Sequence, residues 1–411
     1  MTKPSIVILG AGPAGLTSAY FHLQKGHQVT VIEKSSETGG LSRGVSFLGG
    51  KFDLGPHSFY ANYSQESIDF LKRFIGEDNF FKKKSSKLVQ AADGALFYVP
   101  WRIWDTLKLK NTMFFAGYVL YKLIALPSLK NGKSALEKHG LWVKRKIFSP
   151  YCIKYFNLSS EQVSNDFVAL LYANQEKEED NSIYLTKSGY IGRLWENVFE
   201  YLCQSGVRFE LNQEVVKIHV AGERAVKVQT ANGTHQADHI ISTIPLQSIH
   251  RLLFPNENNF ASLNYRATVM VFVEIEDLKT DALYLTNYNV DNPIGRVSFC
   301  SNWKQHVDRH VISVEFWCDE TDSIFKKPDA SILEDVITYL KTLSIVRVEK
   351  NMKFKIIRIP KCYPVLDKEY TEKVSFIKSH LSRITNLTMA GRHGKFEWDG
   401  LNDIINAIHN E

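Results

Sequence analysis

Ser5-Ile6-Val7-Ile8-Leu9-Gly10-Ala11-Gly12-Pro13-Ala14-Gly15-Leu16-Thr17-Ser18-Ala19-Tyr20, with Val29-Thr30-Val31-Ile32-Glu33 close behind it, is the stretch whose reading decides the fold. Residues 5–9 form a short apolar run rich in β-branched side chains, as a buried parallel strand requires. Gly10, Gly12 and Gly15 follow at the spacing of a dinucleotide fingerprint. Gly10 allows a tight turn, Gly12 lets backbone approach a pyrophosphate, and Gly15 lets helix and strand pack closely. Pro13 and Ala14 sit at the helix start, whose free N–H groups face the phosphates. Residues 29–32 read as the second strand, and Glu33, with Lys34 beside it, ends that strand where an acid takes ribose hydroxyls. A structural glycine-rich turn is the competing explanation, but strand, helix, second strand and terminal acid all fall in place.

Glu37-Thr38-Gly39-Gly40-Leu41-Ser42-Arg43 comes next and selects the dinucleotide. Two glycines after the ribose acid, then Leu41, Ser42 and Arg43, resemble the second motif of FAD enzymes in the amine oxidase and protoporphyrinogen oxidase superfamily. Such a motif supplies another close backbone approach and a cation beside the diphosphate. An ordinary Gly-Gly loop with a solvated arginine is the alternative.

The chain has 411 residues, long enough for two domains or one large domain with an insertion. Its net charge of +6 admits an anionic ligand and does not call for nucleic acid. Fifty aromatic side chains (25 Phe, 18 Tyr, 7 Trp) suit a stacking pocket, and a large core explains them equally well. Cys152, Cys203, Cys300, Cys318 and Cys362 are scattered, odd in number and not in metal-ligand spacing, so no metal is expected. They read as reduced thiols of a cytoplasmic protein. The first strand begins by Ser5, so no secretory leader is expected. Met113 to Leu126 is apolar apart from Lys122 and too short to span a bilayer. Buried helix is the first reading there, with weak peripheral membrane contact through residues 108–130 as the other.

Further along, residues 88–99 read as a hairpin around Asp93-Gly94, residues 100–171 as mainly helical, and residues 189–203 as a helix. The Lys82-Lys83-Lys84 run reads as a solvated loop. Residues 269–275, 297–301 and 311–317 alternate as antiparallel strands, and residues 331–343 read as a helix. The expected fold is α/β (α+β overall). A discontinuous Rossmann-like FAD-binding domain spans 1–85, 205–250 and 385–411. A mainly helical insertion takes 86–204, and an antiparallel-sheet substrate domain takes 251–384.

Several further segments, in order, resemble the UDP-galactopyranose mutase family. They are Gly55-Pro56-His57-Ser58-Phe59, Gly94 to Pro100, Phe148 to Phe156, Asn287-Tyr288 through Arg296, Gly391 to Phe396, and Leu401-Asn402-Asp403. Their span is nearly the whole chain. The resemblance implies flavin contacts from Pro56, His57, Gly391, Arg392, Leu401, Asn402 and Asp403, and adenine contacts from the backbone of Val215 and Val216. It implies substrate contacts from Tyr151, Phe156, Asn287, Tyr288, Arg296, Phe396 and Trp398. Phe156 stands where that family has a tryptophan, and Phe396 and Trp398 where it has tyrosines. A further arginine has no counterpart among Tyr172, Ala173, Asn174 and Gln175.

The resemblance implies catalysis by reduced FAD, whose N5 forms an adduct with the sugar of a nucleotide sugar while pyranose and furanose forms interconvert, for surface polysaccharide. His57 and Arg296 are the catalytic candidates: His57 to hydrogen-bond flavin N5 or a substrate hydroxyl, Arg296 to clamp the leaving diphosphate. The bland alternatives are a loop histidine satisfied by backbone and an exposed strand charge. Lys154 and Arg266 are weaker candidates for the same site. An FAD-dependent oxidase or desaturase of the protoporphyrinogen oxidase or amine oxidase kind is the alternative function, favoured by the missing hydroxyls and arginine. A small-molecule substrate is expected in either case. A homodimer is allowed and not specified.

Overall fold

The computed structural model describes residues 3–60, 63–91, 94, 96–99, 148–167, 182–257, 262–304, 309–348 and 352–410. The apolar stretch 113–126, the peripheral segment 108–130 and the positions 172–175 lie outside the described residues, as does most of the expected helical range 100–171.

The opening reading holds in detail. β1 (Ser5–Leu9) leads through the glycine turn into α1 (Pro13–Gln24) and back into β2 (Gln28–Ile32). β1 is central in a five-stranded parallel sheet, between β2 and the strand His239–Ser242, with Arg208–Glu210 and Leu387–Met389 at the edges. The nucleotide sheet thus gathers strands from both ends and the middle of the chain. Val7, Ile8 and Leu9 have no exposed surface, which explains the unbroken apolar run. One face of the sheet carries α1 and the helix Gly192–Gln204, which share a core with Trp195, Phe70 and Phe74. The helix Leu401–His409 covers the same side, adding Ile404, Ile405 and Ile408.

A seven-stranded sheet forms the second layer, in the order 354–364, 265–274, 311–318, 294–298, 284–287, 87–90, 96–99. Its strands pair antiparallel except Lys87–Gln90, which runs parallel to Tyr284–Asn287. The hairpin expected around Gly94 therefore extends the substrate sheet instead of opening a helical insertion. The helix Gly192–Gln204 likewise packs on α1, not in an insertion. In both cases an apolar face finds its partner in another layer, which local periodicity does not reveal. The Lys82-Lys83-Lys84 run is also corrected: Phe80–Lys84 is a strand paired with Ser182–Thr186, and Lys83 donates to the Asn302 carbonyl.

Alternation divides the strand Val311–Cys318 between two environments. Ile312, Val314, Phe316 and Cys318 face a core shared with Ile332, Val336 and Leu340 of the helix Asp329–Thr342. Val311, Ser313, Glu315 and Trp317 occupy the opposite face. Glu315 and Trp317 carry that face into the site.

Candidate active site

The glycine turn is built for close approach. Gly10 has φ +101°, and a Cβ on Gly15 would lie 1.9 Å from the Gly10 carbonyl oxygen, so no other residue fits there. Across the turn, a Cβ on Gly40 would come within 3.0 Å of the Gly12 Cα, and the Gly39 N–H donates to the Ala11 carbonyl. The two glycine motifs therefore sit against each other and leave a cradle of backbone. Glu33 is fixed at its rim: Oε2 accepts from the Ala11 N–H at 2.8 Å, and Oε1 accepts from both the N–H and the hydroxyl of Ser35 at 2.9 Å. Arg43 pairs with Glu37 and donates to the Gly40 carbonyl. Val215 pairs with Thr230, and the register then slips so that Val216 is bulged and exposed. The neighbouring Gln213 N–H bonds to the Glu33 carbonyl, so this bulge lies beside Glu33.

At the other end, Gly391 (φ +73°) packs so tightly on α1 that a Cβ would stand 2.5 Å from that of Ala14. Asp403 turns back to accept from the Gly400 N–H at 2.9 Å, and Asn402 accepts from the Ser64 N–H. These bonds anchor the start of the helix Leu401–His409. They leave the N–H groups of Leu401, Asn402 and Asp403 without a partner among the described residues.

The second sheet contributes charge and aromatic surface. Arg296 and Glu315 are cross-strand neighbours. Arg296 Nε and Nη2 donate to the two Glu315 oxygens at 2.7 and 2.6 Å, and Trp317 Nε1 donates to the same carboxylate at 3.2 Å. The guanidinium also lies over the Trp317 ring and reaches the Tyr363 hydroxyl at 3.4 Å, which leaves Nη1 free of any described partner. Arg392 donates to the Asp399 carbonyl and lies over the rings of Tyr363 and Trp398. Tyr363 and Trp398 stack at 5.4 Å, and Tyr155 meets Trp317, Tyr363 and Trp398. Gly55 abuts the Arg296–Glu315 pair. His57 follows Pro56, its Nδ1 buried without a hydrogen bond. Burial, then the charges of Arg392 and Arg296, hold its imidazole down to about 4, so it is neutral at pH 7.

The structure thus brings together His57, Arg296, Arg392, Tyr363 and Trp398. It places other expected contacts elsewhere. Phe156 is 2% exposed and packed between Phe167 and Trp398, so it has no open face for a base to stack on. Phe396 is 1% exposed beneath Tyr265. Asn287 is fully buried and fixes the following turn, donating to the Ile294 carbonyl and accepting from the Asn289 N–H. Lys154 donates to the carbonyls of Asn289, Asn292 and Ile294, and Arg266 to Asp319 and the Trp317 carbonyl. Tyr151 is half-buried, packed against Tyr155, Phe167 and Tyr288. Glu315 and Tyr363 escaped sequence reading. Glu315 left a signal, as the one acid in the apolar run Val311–Cys318.

Comparison with known proteins identifies this architecture. Residues 123–393 match the family described as flavin containing amine oxidoreductase, and residues 8–74 match the NAD(P)-binding Rossmann-like domain. The chain belongs to the flavin-containing amine oxidoreductase family. Its cofactor is FAD, and the cradle at Gly12 and Gly40, the anchored Glu33 and the open first turn at Leu401 fit that molecule. The sequence is 25% identical over 282 residues to 1-hydroxycarotenoid 3,4-desaturase of Flavobacterium sp. (strain P99-3), covering 60% of this chain and 58% of that one. It is 22% identical over 268 residues to D-amino acid dehydrogenase of Neisseria meningitidis serogroup C (strain 053442), covering 58% and 60%. The match therefore spans about six tenths of the length of these curated relatives. Among solved structures, reduced UDP-galactopyranose mutase is similar with TM-score 0.74 at 18% identity, covering 99% of this chain and 94% of that one. A putative protoporphyrinogen oxidase from Exiguobacterium sp. 255-15 follows at 0.72 and 16%, covering 100% and 98%. At these identities the two structures establish the fold of this amine oxidoreductase-family chain and nothing finer. Among the described residues, no helix is long and apolar enough to cross a membrane.

Proposed function

We propose that this protein oxidises an uncharged, largely apolar small molecule at its flavin. The carrying observation is the bidentate Arg296–Glu315 pair, which neutralises the cation that a diphosphate would need. Arg266 is likewise paired, with Asp319, Lys154 is held by three backbone carbonyls, and Phe156, Phe396 and Asn287 are core. What remains partly open is aromatic: Tyr151, Tyr363 and Trp398, backed by the buried Tyr155 and Trp317. Such a surface rewards shape and apolar area more than charge. The curated relatives named above, a carotenoid desaturase and an amino acid dehydrogenase, support oxidation over isomerisation. When bound, FAD supplies the two-electron acceptor. The chain's part is to hold it through the glycine cradle and Glu33, and to hold the substrate against it through the aromatic wall. His57, neutral and with its Nδ1 open, serves as a hydrogen-bond group; a group that protonates near 4 is a weak base at pH 7. Substrate-dependent oxygen uptake, or reduction of an added dye, tests this reading, and its absence across polyenes and other uncharged apolar compounds counts against it.

One observation favours a second reading, the ring-form mutase of a nucleotide sugar. Arg296 Nη2 lies against Gly55, and Nη1, which bonds to no described residue, offers one donor edge to a phosphate oxygen. Here the test is the mass of flavin released after dithionite reduction, addition of nucleotide sugars and cyanoborohydride trapping. A gain of one sugar residue supports the mutase, and an unchanged mass removes it.

A further inference from the structure

Away from the cofactor cleft, the helix Leu246–Leu253 lies against the helix Tyr370–Leu381, and three lone-pair atoms meet between them. His250 Nε2 is 3.1 Å from His380 Nδ1. Glu257 Oε2 is 2.5 Å from His380 Nδ1 and 3.9 Å from His250 Nε2. The two rings are stacked with 21° between their planes. His250 is fully buried, His380 nearly so, and Glu257 stands at the solvent edge.

Protons alone satisfy this arrangement poorly. If His380 Nδ1 carries the hydrogen, that single hydrogen faces two acceptors at once. Glu257 Oε2 nevertheless makes no hydrogen bond of acceptable geometry. If His250 Nε2 carries the hydrogen, His380 Nδ1 becomes an acceptor, and its lone pair abuts a carboxylate oxygen. Two lone pairs then face each other in either tautomer. A cation at their meeting point removes the conflict.

The donor set identifies the cation. Two imidazole nitrogens and one carboxylate oxygen, all within 4.8 Å of one another, suit a divalent transition metal, zinc above all. Tetrahedral zinc with bonds of about 2.0–2.1 Å holds its ligand atoms roughly 3.3 Å apart. The three separations observed, 2.5, 3.1 and 3.9 Å, bracket that spacing. We propose that His250, Glu257 and His380 form a zinc site that clamps these two helices together, with a fourth position open to water beside Glu257. The surroundings fit a held metal. Arg383 approaches the other Glu257 oxygen at 4.0 Å, steadying the carboxylate while leaving Oε2 to the histidines. Phe254 lies against His250 and Phe376 against His380, which shields both rings. The helices joined in this way follow the strand His239–Ser242 and precede the strand Leu387–Met389, adjacent strands of the nucleotide sheet. The metal thus acts as a brace for that sheet and not in the chemistry.

The test uses chelator-treated holoprotein. Zinc is titrated against a competing indicator, and cobalt is added separately for its visible spectrum. Wild type should take up about one zinc per chain and give the intense bands of four-coordinate cobalt. Glu257→Gln, at the solvent edge, and His380→Gln should each weaken zinc binding on the order of a hundredfold with flavin content unchanged. Equal zinc affinity in wild type and in Glu257→Gln would overturn the site. Weak, octahedral-type cobalt bands in wild type would overturn it as well, and that measurement stands even where a variant fails to fold.

Discussion

Arg296 and Glu315 face each other across adjacent antiparallel strands and close a two-pronged ion pair, with N···O distances of 2.7 and 2.6 Å. The carboxylate is almost wholly buried, and Trp317 donates to it from two residues along the strand. The pair sets the character of the site. It keeps a guanidinium in place beside the Gly55–His57 loop while cancelling most of its charge.

Removing one partner should therefore cost more than removing both. Glu315→Gln leaves a buried cation uncompensated and should lower stability by about 3–5 kcal/mol. The double variant Arg296→Met with Glu315→Gln should be closer to wild type than either Arg296→Met or Glu315→Gln alone. Denaturant unfolding of all four proteins checks this, and additive losses would contradict a coupled pair.

Glu33 is held by Ala11 and Ser35 at the edge of the glycine turn, and the sequence fingerprint assigns it to the ribose. Glu33→Ala should yield folded protein that purifies with little flavin. Visible flavin absorbance per chain is the readout, and a fully yellow variant would remove Glu33 from the cofactor site.

Gly391 combines a left-handed backbone with a 2.5 Å approach to Ala14. Gly391→Ala should push the closing segment off α1, destabilising by about 1–3 kcal/mol and loosening the flavin. Thermal unfolding with and without added FAD measures both effects.

The acid flank of stability should report His57. Its imidazole protonates near 4 when folded and near 6.5 when unfolded, so between those pH values the unfolded chain binds more protons. Stability is then lost as pH falls from about 6.5 to 4, by up to about 3 kcal/mol for this group. Asp53 works in the opposite sense, because burial raises its carboxyl from 3.8 to about 7 and stability falls as pH climbs through that range. In apoprotein, His57→Asn should flatten the acid-side loss, and Asp53→Asn the loss toward neutrality. Unchanged pH profiles would mean that neither group is buried as described.

Much of the fold was legible because the nucleotide half follows local rules. Gly10 and Gly15 are demanded by the backbone of one turn, and β1 is apolar from Ile6 to Leu9 because both its faces are covered. The substrate half was legible as strands and not as neighbours. Nothing local tells the hairpin at Gly94 to pair with Tyr284–Asn287, or the helix Gly192–Gln204 to lie on α1. His57, Arg296 and Arg392 are candidates the sequence names and the structure brings together, whereas Tyr363 joins them only through the register between the strands 265–274 and 354–364. Phe156 and Lys154 misled for one reason: an aromatic ring or a cation has the same letter whether it serves a ligand or fills a gap. His250, Glu257 and His380 carry no spacing signal, since the last histidine is 130 residues beyond the first.

We propose two-electron oxidation of a neutral, apolar molecule at an aromatic wall beside the internally paired Arg296. Its most direct test is anaerobic mixing of the oxidised holoprotein with polyenes, amines, amino acids and nucleotide sugars, following the visible flavin band. The account predicts bleaching by an uncharged apolar compound and none by nucleotide sugars. A flavin that no such compound bleaches, but whose dithionite-reduced form converts a nucleotide sugar with no net redox change, would contradict it.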